Sequence, residues 1–162
     1  MPPAALHYVR FQGTTRHPDG HFPGVFALVN TLAKEGRLTP GQERFRRTNN
    51  DWYDANYPNP SDTDPTVYDR TLNPGAVAWF KSTSHDLIAR VDGYLAILAA
   101  HRIPCRRLHS ATPPGRIVYE DTHQIVVTPH PTRPTATTGA AEAAETTGAA
   151  EAAETTEAAE TA

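Results

Sequence analysis

The chain has 162 residues, of which 38% are hydrophobic, and 15 Lys and Arg stand against 18 Asp and Glu. This length suggests one domain. A single Cys excludes an intramolecular disulfide framework and a Cys-based zinc site. No apolar run is long enough to span a bilayer, and the start MPPAALHYVR lacks the charged region and the long apolar core of a signal peptide. We therefore expect a cytoplasmic protein that makes no membrane contact.

The last part of the sequence is a low-complexity repeat. TTGAAEAAE occupies residues 137–145 and recurs at 146–154, and no residue in it is larger than Glu. Such a segment cannot bury enough apolar surface to offset its chain entropy, which predicts a disordered acidic tail over residues 132–162. Residues 1–131 form the predicted globular domain. Its fourteen Lys and Arg against twelve Asp and Glu give a net charge of +2, which does not imply nucleic-acid binding.

The first predicted elements are a strand and two helices. Residues 6–12, which include Arg10, alternate as a strand does. After a turn-rich stretch, an apolar stripe at helical spacing begins at Val25. Gly36 can end that helix in a left-handed conformation. A second helix begins after Thr39, which matches a capping-box pattern.

The stretch RTNNDWYDANYPNP, residues 47–60, covers the end of the second helix and is rich in polar and aromatic side chains. Three of its residues are candidate ligand-binding residues: Asn50, Tyr53 and Asp54. Asp54 opposes the dipole at a helix C-terminus, and unfavourable local choices can mark function. Phe45 and Trp52, seven residues apart, are expected to form the buried face. The alternative is that the Asn and Asp groups cap the helix end and hold the following loop.

The middle of the chain combines a long loop with a strand and the clearest helix. Residues 57–74 contain four Pro, which predicts an irregular connection of the kind that often carries function. A strand follows over residues 76–81, and a helix is then predicted to run from about Ser84 to His101. Gly93 within this helix indicates close packing, since Gly costs a helix about 1 kcal/mol relative to Ala.

Three predicted strands follow, over residues 105–110, 116–121 and 123–129, and the last two form a hairpin around Asp121. The order of elements is β-α-α-β-α-β-β-β. It predicts an α+β fold, a two-layer domain in which about three helices pack on one face of a mostly antiparallel sheet of four to five strands.

Two further places carry candidate ligand-binding residues. In the segment WFKSTSHDL a strand ends at Lys81, and a hydroxyl-rich turn leads into a helix. A helix N-terminus beside a Lys can bind an anion, which makes Ser84 and His85 candidates, against the plain alternative of an ordinary N-cap. Tyr119 and Glu120 lie near the hairpin tip and are candidates if the sheet presents them to a cleft.

Sequence signatures of metal and cofactor sites are missing. None of the patterns for a phosphate loop, a dinucleotide site, a zinc protease or a serine hydrolase is present. The eight His residues are scattered, and a Pro-Asp-Gly segment between His17 and His21 argues against a shared helix face, although a turn could still bring these two together with Asp19. We therefore expect no metal site and no cofactor.

A WFK segment, a long amphipathic helix and a closing PGRIVYEDTHQIVV hairpin occur together in this chain, after an NDW segment and a Pro-rich stretch. This combination resembles a group of small uncharacterised bacterial proteins, mainly actinobacterial, that share WFK and YEDxxQIVV segments. The resemblance covers residues 7–129. It implies a compact bacterial domain and carries no activity.

The missing catalytic signatures, the small size and the acidic tail favour a non-enzymatic binding or interaction module, whose partner is a protein or a nucleotide. The alternative is a small nucleotide- or nucleic-acid-directed enzyme, ADP-ribosyltransferase-like or phosphate-binding, with a cleft around Arg10, Lys81 and Glu120. A strand Arg, an aromatic strand and a late Glu are what an ADP-ribosyltransferase-like site needs. This alternative gains if those three residues and Asn50 line one concave pocket.

Overall fold

The structure, a computed structural model, describes residues 5–18 and 20–129 of the chain. The described residues form five strands: β1 Tyr8–Gly13, β2 Val77–Lys81, β3 Cys105–Ser110, β4 Arg116–Glu120 and β5 Gln124–Thr128. They also form five helical segments: α1 Val25–Lys34, α2 Pro40–Asn56, the single turn α3 Pro60–Thr63, α4 His85–Ala89 and α5 Val91–Ala100. The predicted tail over residues 132–162 lies outside the described part of the chain. In that described part, no helix is both long and apolar enough to cross a membrane.

The five strands form one sheet in the order β3-β1-β2-β5-β4, and every neighbouring pair is antiparallel. Strands β4 and β5 form the predicted hairpin. Its turn is held by Asp121, whose Oδ1 accepts hydrogen bonds from the N–H groups of His123 and Gln124 at 2.7 and 3.1 Å. The predicted α+β class and the antiparallel sheet are confirmed.

The main hydrophobic core lies between one face of the sheet and the helices. Its buried members include Val9, Phe11 and Phe80 from the sheet, Val29 and Leu32 from α1, and Val91, Tyr94 and Leu98 from α5. Full burial of each such side chain contributes about 1.5–3 kcal/mol. A second buried cluster contains Tyr8 of β1 and Val77 and Trp79 of β2, which face the opposite side of these strands, together with Ile125 of β5. All six residues of β1 are buried, so its polar Arg10 and Gln12 are buried as well.

The prediction of one unbroken helix from Ser84 to His101 is wrong, because the helix is interrupted at Arg90, between α4 and α5. The Tyr53 hydroxyl of α2 donates a hydrogen bond to the Leu87 carbonyl at 2.6 Å. In a continuous helix that carbonyl would accept from the N–H four residues further on. The interruption therefore lies where the Leu87 carbonyl accepts a hydrogen bond from Tyr53 of α2.

Helix α2 begins with the predicted capping box. The Thr39 hydroxyl accepts a hydrogen bond from the Gln42 N–H at 3.1 Å, and the Gln42 side chain accepts one from the Thr39 N–H at 3.0 Å. Because Pro40 has no N–H, three N–H groups at this helix start lack an intrahelical partner, and the capping box supplies partners for two of them. Pro58 follows the last turn, as expected for a helix that cannot continue.

The buried face of α2 differs from the predicted one. Phe45 and Trp52 are only partly buried, and the buried residues are Arg46, Asn50 and Tyr53. These polar groups are buried because neighbouring helices supply their hydrogen-bond partners. The Phe45 ring instead packs directly on Gly93 of α5, where a Cβ would lie, which confirms the close packing predicted there.

The connection over residues 57–74 is irregular as predicted, apart from α3. Side chains build its turns: Asp64 Oδ1, for example, accepts a hydrogen bond from the Thr66 N–H at 3.0 Å. Val67 is fully buried against Val126 of β5. The connection therefore packs on the sheet and helps to enclose the site described next.

Candidate functional site

Strands β1 and β2 are joined by only two residue pairs, at the start of β1 and the end of β2. Beyond those pairs, the Arg10 guanidinium donates hydrogen bonds to the Ala78 carbonyl of β2 at 3.0 Å and to the Phe22 carbonyl at 2.9 Å. Its Nε donates to Gln12 Oε1 at 2.8 Å. Arg10 is 5% exposed. A buried positive charge is thus held in a fixed position between the two strands.

A cavity of about 90 Å³, here named the ring cavity, lies beside Arg10. Six aromatic residues line it: Phe11, Phe26, Tyr53, Tyr57, Tyr68 and Phe80. The ring centroids of Tyr57 and Phe80 are 5.2 Å apart, and those of Phe26 and Tyr53 are 4.8 Å apart. Because one water needs only about 10–15 Å³ of such volume, the ring cavity has room for several waters or one small organic group.

The first turn of α1 forms another part of the cavity wall. Gly24, its N-cap, provides no side-chain cap, and the turn contains no acidic residue. A Cβ at position 24 would lie 3.4 Å from both terminal nitrogens of Arg10. A cation beside a helix N-terminus is unfavourable, because both carry positive charge. An anionic group in the ring cavity would interact favourably with both.

The end of α2 supplies further polar groups to the cavity wall. Asp54 is exposed, and partial burial, together with repulsion from Asp51 and Asp62, raises the pKa of its carboxyl. Burial raises the pKa of the Tyr57 hydroxyl well above its ordinary value, so this group stays a neutral phenol. The Tyr57 hydroxyl makes no hydrogen bond with any residue that the structure describes. It can therefore donate one to a ligand.

Three predicted site residues line the ring cavity: Arg10, Tyr53 and Asp54. Asn50 lies instead in a buried network between three helices. Its Nδ2 donates a hydrogen bond to Asn30 Oδ1 of α1 at 3.2 Å, and its Oδ1 accepts one from the Tyr94 hydroxyl of α5 at 2.7 Å. Asn50 therefore joins helices rather than facing a ligand.

Lys81 and Glu120 form an ion pair with an N–O distance of 2.6 Å. The hydroxyl of Tyr119 donates a hydrogen bond to Asp121 Oδ2 at 2.7 Å, within the hairpin. Neither Lys81 nor Glu120 lines the ring cavity or the larger cavity described below. The structure thus brings these two residues together, but it does not place them with Arg10 in either cavity.

Ser84 and His85 lie at the start of α4. Ser84 is buried, and its Oγ lies 3.0 Å from Nδ1 of His123, a contact that the sequence did not indicate. A hydroxyl and an imidazole at this distance resemble a nucleophile and its base, but neither residue lines either cavity. The contact joins α4 to the β4-β5 hairpin. His85 is exposed.

A second cavity, of about 670 Å³, lies among residues 13–18, α1 and Arg70, and is named the Arg70 cavity. Sequence reasoning missed it, because its residues are distant in the chain and match no motif. The rings of His17 and His21 line it, stacked 4.7 Å apart. Across residues 5–18 and 20–129, no three or more His, Cys, Asp or Glu side chains are grouped so as to hold a metal ion.

Comparison of the chain with protein-family models, with curated proteins and with solved structures finds no match. The resemblance to small actinobacterial proteins stays a prediction.

Proposed function

We propose that this domain is a binding module, and that its ligand is a small molecule with an aromatic or apolar body and an anionic head. The observation that carries the proposal is the Arg10 guanidinium held against the uncapped N-terminus of α1, in the wall of an aromatic-lined cavity. The head would lie near Arg10 and the first turn of α1. The body would contact the rings, with the Tyr57 hydroxyl as an additional donor.

The expected contact energies correspond to a weak to moderate affinity for such a ligand. A favourable ring–ring contact contributes about 0.5–1.5 kcal/mol beyond its buried area. An anion at a partly buried helix N-terminus gains up to about 2 kcal/mol. For a probe as small as benzoate, we expect a Kd of about 0.1–1 mM, or about −5.5 to −4.1 kcal/mol.

The composition of the cavity wall favours binding over catalysis. The described residues that line the ring cavity include one carboxylate, Asp54, and no Ser, Cys, His or Lys. A wall of this kind offers no nucleophile with an adjacent base. The Arg10 guanidinium is already engaged by hydrogen bonds to the protein itself, at Gln12, Ala78 and Phe22 among others. We therefore assign it an electrostatic role.

The test is a titration of the full chain with benzoate, benzylamine and benzyl alcohol, followed by NMR chemical shifts. Benzoate should bind at least tenfold more tightly than the other two. The decisive variant is Gly24→Asp. The backbone at Gly24 has φ −79° and ψ 172°, which any residue can adopt. The new carboxylate would cap α1 and pair with Arg10, so it should stabilise the fold by roughly a few tenths of a kcal/mol and weaken benzoate binding at least tenfold.

Gly41→Asp is the matched control, because Gly41 lies exposed in the first turn of α2. It should leave benzoate binding unchanged. The proposal is wrong if Gly24→Asp binds benzoate as the wild type does, or if benzylamine binds more tightly than benzoate. Cleavage of NAD or another nucleotide by the protein would favour the enzyme alternative instead.

A further inference from the structure

The Arg70 cavity has the charge and the size of a separate ligand site. Its described lining contains three cationic side chains, Arg16, Lys34 and Arg70, and no carboxylate. Thr14, Thr15 and Thr31 line the same cavity and can donate and accept hydrogen bonds through their hydroxyls. Its volume of about 670 Å³ falls within the range of roughly 300–1,000 Å³ that is usual for small-molecule sites.

Arg70 is the unusual residue in this wall. Both of its terminal nitrogens are buried, and neither has a hydrogen-bond partner in the described part of the chain. Leaving a buried charged group without partners is strongly unfavourable. Each orphaned group of this kind needs an explanation, and an ion that belongs there is one of the few available.

The backbone around Arg70 is well fixed. Oδ1 of Asp69 accepts hydrogen bonds from the N–H groups of Thr71 and Leu72 at 2.8 and 2.9 Å. The carboxylate next to Arg70 in sequence is thus used by the turn. Val67 is fully buried three residues earlier. The turn therefore fixes the backbone at Arg70, which lines the cavity, and it engages Oδ1 of the neighbouring Asp69.

We propose that the Arg70 cavity binds the phosphate group of a small molecule of about nucleoside-monophosphate size. The guanidinium fork of Arg70 matches two phosphate oxygens and would pair with them. The threonine hydroxyls complete the coordination, and the charges of Arg16 and Lys34 add a favourable field. The rest of the ligand fills the part of the Arg70 cavity that a phosphate group alone would not occupy. This site is distinct from the ring cavity, and its occupation does not depend on the function proposed above.

The experiment is thermal unfolding of the full chain at constant ionic strength, with inorganic phosphate, pyrophosphate, AMP and adenosine. A ligand that binds only the folded state raises Tm. Phosphate, pyrophosphate and AMP should raise Tm, and adenosine should not. AMP should be more effective than phosphate at equal concentration.

The informative variant is Arg70→Met. Replacing a buried unpaired charge by an apolar side chain of similar length should leave Tm unchanged or raise it in the absence of ligand, while AMP binding weakens at least tenfold. Arg106→Met, at an exposed position of β3, is the matched control and should bind AMP as the wild type does. Thr31→Val, which removes one exposed hydroxyl, should weaken AMP binding severalfold and serves if Arg70→Met does not fold.

Three results would overturn the proposal. The first is AMP binding by Arg70→Met that equals the wild type. The second is a rise in Tm that adenosine or added chloride produces as well as AMP does. The third is a lower Tm of Arg70→Met without ligand that Arg70→Lys restores, because Arg70 would then have a purely structural role.

Discussion

Glu43 on α2 lies between two arginines, and this arrangement makes stability depend on pH. The hydrogen bond from Arg46 is the main cause that lowers the pKa of Glu43 from about 4.5 to about 2, and Arg47 adds to it. A carboxyl whose pKa is lower in the folded state stabilises the fold above its unfolded pKa, and the stabilisation is lost as pH falls through the folded pKa. The relevant window is therefore pH 5 to 2.

Glu43→Gln should remove this dependence. The full pKa difference corresponds to about 3 kcal/mol. The Glu43 side chain is 29% exposed, so solvent screening reduces the expected effect to about 1 kcal/mol. Urea unfolding should show the variant less stable than the wild type at pH 7 and equal to it near pH 2. Glu35→Gln, which removes an exposed pair with Arg37, should have little effect. Parallel stability curves for wild type and Glu43→Gln would contradict this prediction.

For Asn50, the sequence predicted the secondary structure but not the contacts of the side chain. Its neighbours Asp51 and Asp54 suggested a ligand-binding stretch, and its position on a helix was predicted correctly. What the sequence could not give were its partners, because Asn30 and Tyr94 lie 20 and 44 residues away. A polar residue on a helix can face a ligand or another helix, and only the packing distinguishes the two.

At the scale of elements, Gly93 determines how closely α2 and α5 approach. The Phe45 ring fills the space where a Cβ at position 93 would lie. Gly93→Ala gains up to about 1 kcal/mol in helix propensity, but overpacking typically costs about 1–3 kcal/mol. We expect a net loss of stability of up to about 2 kcal/mol, measured by urea unfolding.

The same substitution in a Phe45→Leu background should be neutral or stabilising, because the ring is gone. The two changes should therefore be non-additive in a double-mutant cycle. Gly41→Ala is the control, since its nearest neighbours to an added Cβ are at 3.8 Å or more. An equal loss for Gly93→Ala in both backgrounds would show that the contact with Phe45 is not the cause.

Element boundaries show where sequence patterns stop being informative. The capping box at Thr39 uses residues three apart, and it was predicted correctly. The interruption at Arg90 was not predicted, because the apolar spacing continues through it. It lies next to the hydrogen bond from the Tyr53 hydroxyl to the Leu87 carbonyl, between residues 34 positions apart. Local sequence signals therefore predict a helix boundary that local interactions form. They do not predict a boundary that lies at a contact with another helix.

On the scale of the whole molecule, periodicity predicted the α+β layers, whereas the two cavities had no local signal. The ring cavity combines Arg10, Gly24 and Tyr57, which come from three separate segments. In the sequence Gly24 resembles an ordinary turn residue, and only the structure shows that Arg10 packs against it. In the sequence Arg70 resembles an exposed loop arginine, and only the structure shows that its terminal nitrogens are buried. Both sites depend on how distant segments meet, which a single sequence does not encode locally.

The two cavities should bind their ligands independently, although Ala27 of α1 lines both. Each ligand at a concentration 100 times its Kd should raise the free energy of unfolding by about 2.7 kcal/mol. If the sites are independent, benzoate and AMP together should raise it by about 5.4 kcal/mol. Gly24→Asp should remove only the benzoate increment, and Arg70→Met only the AMP increment. A combined effect no larger than either alone would show that both probes compete for one cavity, since only ligands at separate sites stabilise the same fold additively.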